Sequence, residues 1–173
     1  MKVMGIVGYK NSGKTRLMQE IIKYFATKNI LVSTIKHAHH NFAIDQDGTD
    51  SFIHRNAGAV EVLISSSKRW AKIDERKNLK ELTLSDLLKK IDRADIVLVE
   101  GFKNENHKKI EVVRKIDRNQ KPLYNSLTNI VAVVTNQEID IDLPKFKDNE
   151  FKKIGEFILS ECQWTKNHLK KKK

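Results

Sequence analysis

A chain of 173 residues with 39% hydrophobic and 32% charged side chains suits one α/β domain with a core of its own and excludes a disordered or fibrous class. The formal net charge of +11 raises nucleic acid as a partner, but five lysines stand in the stretch Lys166–Lys173, and taking five charges from +11 leaves +6, as suited to small anions as to nucleic acid. The single cysteine, Cys162, excludes an internal disulfide, no apolar run approaches the roughly 20 residues of a membrane span, and Met1–Val7 is too short for a secretory signal, so a cytoplasmic protein without a membrane role is expected.

In chain order, Val3–Val7 reads as a buried strand that ends at Gly8. Gly8-Tyr9-Lys10-Asn11-Ser12-Gly13-Lys14-Thr15 then fits G-x-x-x-x-G-K-[ST] at every fixed position. Leu17, Met18, Ile21, Ile22 and Phe25 follow on one helical face. A buried strand before the motif and an amphipathic helix after it are the context a phosphate-binding P-loop requires. Backbone N–H groups of Gly8, Lys10, Asn11, Ser12 and Gly13 would wrap the phosphates at the positive end of the helix. Lys14 would reach the β- and γ-phosphates, and the Thr15 hydroxyl would take one position on Mg²⁺.

Ile30–Ile35 reads as a second strand, and residues 36–49 as a long polar loop. In that loop Lys36-His37-Ala38-His39-His40 precedes Asp45, Asp47 and Asp50, at the sheet end where such folds bind ligands. The spacing matches no metal signature, and Asp45-Gln46-Asp47-Gly48 sets its glycine wrongly for a calcium loop. Contact with phosphate, substrate or a partner, or a solvated loop, all fit it. Asp50 is placed to cap a short helix ending near Gly58, and Val60–Ile64 with Arg69–Ile73 forms a β-hairpin.

Thr83-Leu84-Ser85-Asp86 has capping-box form and opens a helix with Leu84, Leu87, Leu88 and Ile91 on one face. Ile96–Val99 is a buried strand ending on Glu100, which is positioned to support the Mg²⁺ water shell. Lys14 and Glu100 are thus the candidate catalytic residues, with Thr15 and Glu100 as metal ligands. The segment 103–121 is strongly basic and reads equally as a receptor for an acidic ligand or a hydrated loop. Ile110–Val113 and Ile130–Val134 are further strands, the latter apolar enough to be central. Phe151, Ile154 and Ile158 mark the inner face of a last helix.

The fold expected is α/β and P-loop NTPase-like, a mainly parallel sheet flanked by helices with a β-hairpin insertion. The nucleotide-binding domain is expected over residues 1–165, followed by a basic, disordered tail over 166–173. A small-molecule kinase uses the same loop, and a nucleic-acid-dependent ATPase fits the charge, although 7% aromatic residues offer few stacking platforms.

Three blocks together resemble the molybdopterin-guanine dinucleotide biosynthesis adapter family, MobB. They are Gly8–Thr15; Ile35–His40 running through Asp45, Gly48, Asp50 and Ser51 to Ala57-Gly58-Ala59; and Val99-Glu100-Gly101-Phe102-Lys103 followed by Lys109–Arg114. The resemblance implies a homodimer that binds GTP with Mg²⁺, a weak GTPase at most. It implies work beside the guanylyltransferase that attaches GMP to molybdopterin, with molybdopterin itself as a further candidate ligand and no specific nucleic acid. It also implies that Lys36, His37, His39 and Asp50 help form the nucleotide or cofactor side of the site. Thr49 and Lys108 stand where the family usually has lysine and proline. Asn136, after the Ile130–Val134 strand, is where related nucleotide-binding folds often read the base, and it is the candidate for guanine selection.

Overall fold

The computed structural model describes residues 2–38, 42–76, 80–115 and 121–162. The expectations placed on His39 and on the 166–173 tail lie outside them. The chain divides into two compact units, one formed by residues 1–37 and 84–173, the other by residues 38–83.

The larger unit contains β1 (Lys2–Val7), α1 (Lys14–Thr27) and β2 (Val32–Lys36) before the smaller one intervenes. The smaller unit holds α2 (Asp50–Asn56) and the hairpin β3 (Glu61–Ser65) with β4 (Trp70–Asp74). The larger unit resumes with α3 (Leu84–Leu88), β5 (Ile96–Glu100), β6 (Lys109–Val112), a 3-10 turn at Leu123–Asn125, β7 (Ile130–Val134), β8 (Lys145–Phe146) and α4 (Phe151–Glu161). Its six strands pair in the order β2-β5-β1-β6-β7-β8, every pair parallel. The apolar runs are nearly continuous because a parallel sheet is covered on both faces. Alternation then sorts each strand: Ile96 and Leu98 join the cluster under α1 and α4, while Val97 and Val99 join one on the other face with Ile35, Leu84 and Phe102.

Several expectations needed adjustment. α3 stops at Leu88 rather than running through Ile91, and the chain continues in tight turns that still deliver Ile91 to the Leu84 cluster. Thr49, not Asp50, is the N-cap of α2, and Asp50 is its first residue. Lys109, from the basic segment, and Glu111, from the strand expected at Ile110–Val113, are both 0% exposed, because β6 lies inside the sheet between β1 and β7. The Lys109 Nζ donates to the carbonyls of His107 (2.9 Å) and Thr128 (3.3 Å). The Glu111 carboxylate accepts from the backbone N–H groups of Leu123 and Tyr124, both at 2.7 Å, and so holds the start of the 3-10 turn. Burial raises the Glu111 pKa, opposed by these two N–H bonds and by Lys103.

Candidate phosphate site at the carboxyl ends of β1, β5 and β2

The sheet order reverses at β1, the strand from which the chain first crosses to β2 and on whose other side β6 and β7 follow. Such a switch point opens a crevice at the carboxyl ends of the strands. The Gly8–Thr15 loop fills it. Its path needs backbone angles that side chains resist: Asn11 (φ +62°) and Gly13 (φ +101°) are left-handed, and a Cβ on Gly8 would lie 2.5 Å from the Val112 carbonyl. Successive turns of this kind aim main-chain N–H groups at one concave point.

α1 begins immediately after the loop, with Lys14, Thr15 and Arg16 in its first turn and no acidic residue there. Two cations at the positive end of a helix oppose the helix dipole, an arrangement that an anion offsets. The Lys14 Nζ donates to the carbonyls of Gly8 (3.1 Å) and Tyr9 (2.7 Å), which folds it back along the loop. Burial, above all, lowers its pKa; Glu100 pulls it back up, and Lys103 and Lys36 push it down. The Ser12 hydroxyl oxygen is buried with no hydrogen-bond partner.

Register explains how distant residues reach the loop. Ile6 of β1 is paired with Glu100 of β5, and Glu100 with Lys36 of β2, so three strand ends carry the loop, the carboxylate and a lysine abreast. The His37 N–H donates to the Glu100 carbonyl at 2.9 Å, and the His37 ring stacks on Phe102 at 4.5 Å. Gly101 makes this stack possible: at φ +94° it turns the chain, and a Cβ there would sit 2.8 Å from that of His37. Phe102 follows at φ +48° and is buried. His37 is therefore placed beside Glu100 by packing. Lys103, the first residue of the basic segment that directly follows Glu100-Gly101-Phe102 in the sequence, sets its Nζ 5.4 Å over the Tyr9 ring.

On the other side of the loop, Arg114 donates to the Asn11 carbonyl at 3.4 Å. A cavity of about 460 Å³ there is lined by residues of the loop and by Glu111–Lys115, and a second, of about 190 Å³, reaches Asn136. Asn136 is exposed rather than buried, with its Oδ1 accepting from the Asp148 N–H at 3.1 Å. Asp148 lines the same cavity and was missed, since β8 before it spans two residues and leaves no periodic signal.

Asp50 belongs to the smaller unit and is exposed. In that unit the Asp45 carboxylate is gripped by Arg55 through Nε (3.2 Å) and a terminal nitrogen (2.9 Å), while Arg55 also reaches Glu75 at 2.9 Å. Asp45 is thus occupied in holding the unit together. Among the described residues no three His, Cys, Asp or Glu side chains converge as a metal site.

Residues 3–136 match the family described as Molybdopterin guanine dinucleotide synthesis protein B, MobB. The chain belongs to this family. It is 38% identical over 158 residues to the molybdopterin-guanine dinucleotide biosynthesis adapter protein of Haemophilus influenzae, covering 90% of this chain and 86% of that one. The Escherichia coli protein of the same description is 28% identical, with 93% of each chain covered. Among solved structures, a MobB homolog from Bacillus stearothermophilus superposes with a TM-score of 0.72 at 27% identity, over 95% of this chain and all of that one. A structure titled molybdopterin-guanine biosynthesis protein B gives 0.74 at 27% identity over 92% and 99%.

The MobB fold thus carries a site whose donors fit a nucleoside triphosphate. The orphaned Ser12 hydroxyl and the two cations of a first α1 turn that holds no acidic residue both call for an anion. Mg²⁺ fits less as a protein-held ion than as one shared with phosphates, because the Thr15 hydroxyl and the Glu100 carboxylate are too few to fill its shell and no three metal-ligating His, Cys, Asp or Glu side chains converge among the described residues.

Proposed function

We propose that the chain binds GTP with Mg²⁺ on the Gly8–Thr15 loop and acts in the cytoplasm as an adapter of molybdopterin-guanine dinucleotide biosynthesis, assisting the guanylyltransferase of that step. The adapter role follows from MobB membership. The observation that carries the nucleotide reading is the alignment of the left-handed loop, Lys14 and Glu100 at adjoining strand ends. In this reading the loop N–H groups and the Ser12 hydroxyl hold the phosphates. Lys14 leaves its two carbonyl partners to reach the β- and γ-oxygens, and Lys103 and Lys36 add positive charge around it. Bound Mg²⁺ would draw charge from the β- and γ-oxygens; Thr15 and Glu100 are the residues that would hold it and its waters. His37 and Phe102 fix the backbone on either side of Glu100.

A homodimer is part of the proposal. Leu63 and Trp70 are 66% and 67% exposed on neighbouring strands of a hairpin that has only two, and such a hairpin needs a covering surface to be stable.

Thermal-shift titration with GTP, ATP and their diphosphates, with and without Mg²⁺, tests the reading, since a ligand of the native state raises its melting temperature. GTP with Mg²⁺ should give the largest shift, and Lys14→Ala should abolish most of it while leaving the ligand-free melting temperature near the parent's. A folded Lys14→Ala variant with undiminished GTP affinity refutes the assignment.

A further inference from the structure

We propose that Lys103 lets the phosphate site tell a nucleoside triphosphate from a diphosphate, by leaving the Tyr9 ring to bind the terminal phosphate. The inference rests on triphosphate binding at the phosphate loop and adds the residue that senses which nucleotide is held.

The backbone before Lys103 takes a strained path. Gly101 (φ +94°) and Phe102 (φ +48°) are both left-handed, and a bulky side chain is rare in that region. Three contacts hold the turn. The Gly101 N–H donates to the Ile6 carbonyl of β1 at 3.4 Å, the buried Phe102 ring stacks on His37, and the Glu105 N–H donates to the Phe102 carbonyl at 3.2 Å. Strain of this kind persists where the surrounding structure enforces it, and it gathers at ligand clamps and switches. Its outcome here is that the chain leaving β5 sets the Lys103 ammonium above the first side chain of the phosphate loop, 5.4 Å from the Tyr9 ring centre.

Tyr9 is itself fixed. Its hydroxyl donates to the Lys121 carbonyl at 2.8 Å, and its own carbonyl accepts from the Lys14 Nζ at 2.7 Å. One residue thus holds two cations, Lys14 by its carbonyl and Lys103 by its ring. A ring face holds an ammonium less firmly than a carboxylate does, and among the described residues no carboxylate forms an ion pair with Lys103. Burial is the first cause of the lowered Lys14 pKa, and of the two lysines that lower it further Lys103 acts more strongly than Lys36. An anion placed between Lys14 and Lys103 relieves that repulsion.

The side of the loop identifies which phosphate Lys103 meets. Mg²⁺ bridges the β- and γ-oxygens in P-loop sites, so Glu100 marks the terminal-phosphate side. Lys103 leaves the same strand end as Glu100, whereas Arg114 lies across the loop on the Asn11 carbonyl. With a diphosphate bound, Lys103 stays on the ring; with a triphosphate it moves to the γ-oxygens.

The test is calorimetric titration of the full chain in Mg²⁺ with GDP and with GMPPNP, a GTP analogue whose β–γ bridge is an N–H group that resists hydrolysis. The parent should bind GMPPNP at least about 10-fold tighter than GDP, the scale of one hydrogen bond to a charged group. Lys103→Met should shrink that preference to within about 2-fold by weakening GMPPNP alone, with GDP affinity as in the parent. Lys103→Arg should keep most of the preference, since the guanidinium retains charge and donors. A merely structural lysine gives another pattern, both nucleotides weakened together and no rescue by arginine. If Lys103→Met shows that pattern or keeps the parent's preference, or if the parent binds both nucleotides equally, terminal-phosphate sensing by Lys103 is overturned while the phosphate-loop reading stands. If the parent binds neither nucleotide, both readings fall.

Discussion

His107 and Gly5 show how far a residue's meaning depends on what lies across from it. A Cβ on Gly5 would sit 2.5 Å from the His107 Nε2, and both ring nitrogens of His107 are buried without a hydrogen-bond partner. Burial, with the nearby Lys109 ammonium adding to it, pushes the His107 pKa down to about 4 from 6.5. The native ring is therefore neutral where the unfolded one takes up a proton, and stability falls as pH drops through 6.5 toward 4. Glu111 works in the opposite direction: its raised pKa lets the native state bind a proton first, which partly offsets the loss near the lower end. Urea midpoints at pH 7.5 and 5.0 should show the parent losing stability at the lower pH and His107→Leu losing distinctly less. An equal drop in both would exonerate His107. None of this is visible in Asn106-His107-Lys108-Lys109, which reads as a hydrated segment. The phosphate loop is legible because its chemistry is local: glycines where the backbone must turn or be approached closely, with the lysine and hydroxyl next in line. The burial of His107, Lys109 and Glu111 is decided by β6 lying inside the sheet, a fact held by no residue near them.

Elements follow the same division. The long periodic helices α1 and α4 and the apolar strands are legible, since each carries its own period. The two-residue β8 and the 3-10 turn at Leu123 are too short to carry one, and with them went Asp148 and the partners of Glu111. Contact between elements is less legible still. Gly155, midway along α4, exists for α1: a Cβ on it would lie 2.4 Å from Cδ1 and 2.6 Å from Cε1 of the Tyr24 ring. Taken alone, Gly→Ala in a helix gains about 1 kcal/mol. Here overpacking, typically 1–3 kcal/mol, opposes it, because a ring anchored by its hydroxyl to Glu156 at 3.3 Å must move. Gly155→Ala should therefore be neutral to destabilising by up to about 2 kcal/mol in urea unfolding, and adding Tyr24→Ala should let the alanine's helix preference reappear. Stabilisation by Gly155→Ala in the parent background would show that the two helices have room to separate.

At the scale of the whole chain, the hairpin pattern was legible and the division into two compact units was not, since no proline- or glycine-rich linker announces it. The register of the smaller unit sorts its hairpin into two faces. Val62 pairs with Ile73 and Ile64 with Ala71 on one face; on the other, Leu63 faces Lys72, and Trp70 faces Ser65 as the diagonal neighbour of Leu63. Val62 is buried, while Leu63 and Trp70 stand in solvent with exposed Val60, Ile53, Phe42 and Ile44 elsewhere in the unit. That much apolar surface in a unit of 46 positions, 38–83, is what a covered interface requires. Replacing Leu63 and Trp70 by glutamate should convert a dimer to a monomer in sedimentation experiments at micromolar concentration. The face that holds the buried Val62 would be untouched, because the period of a strand is two. The variant should keep the Lys14-dependent thermal response to GTP if each phosphate loop is complete within one chain. A parent that sediments as a monomer would remove the dimer from the proposal, and a monomeric variant that lost GTP binding would mean that the second copy completes the site.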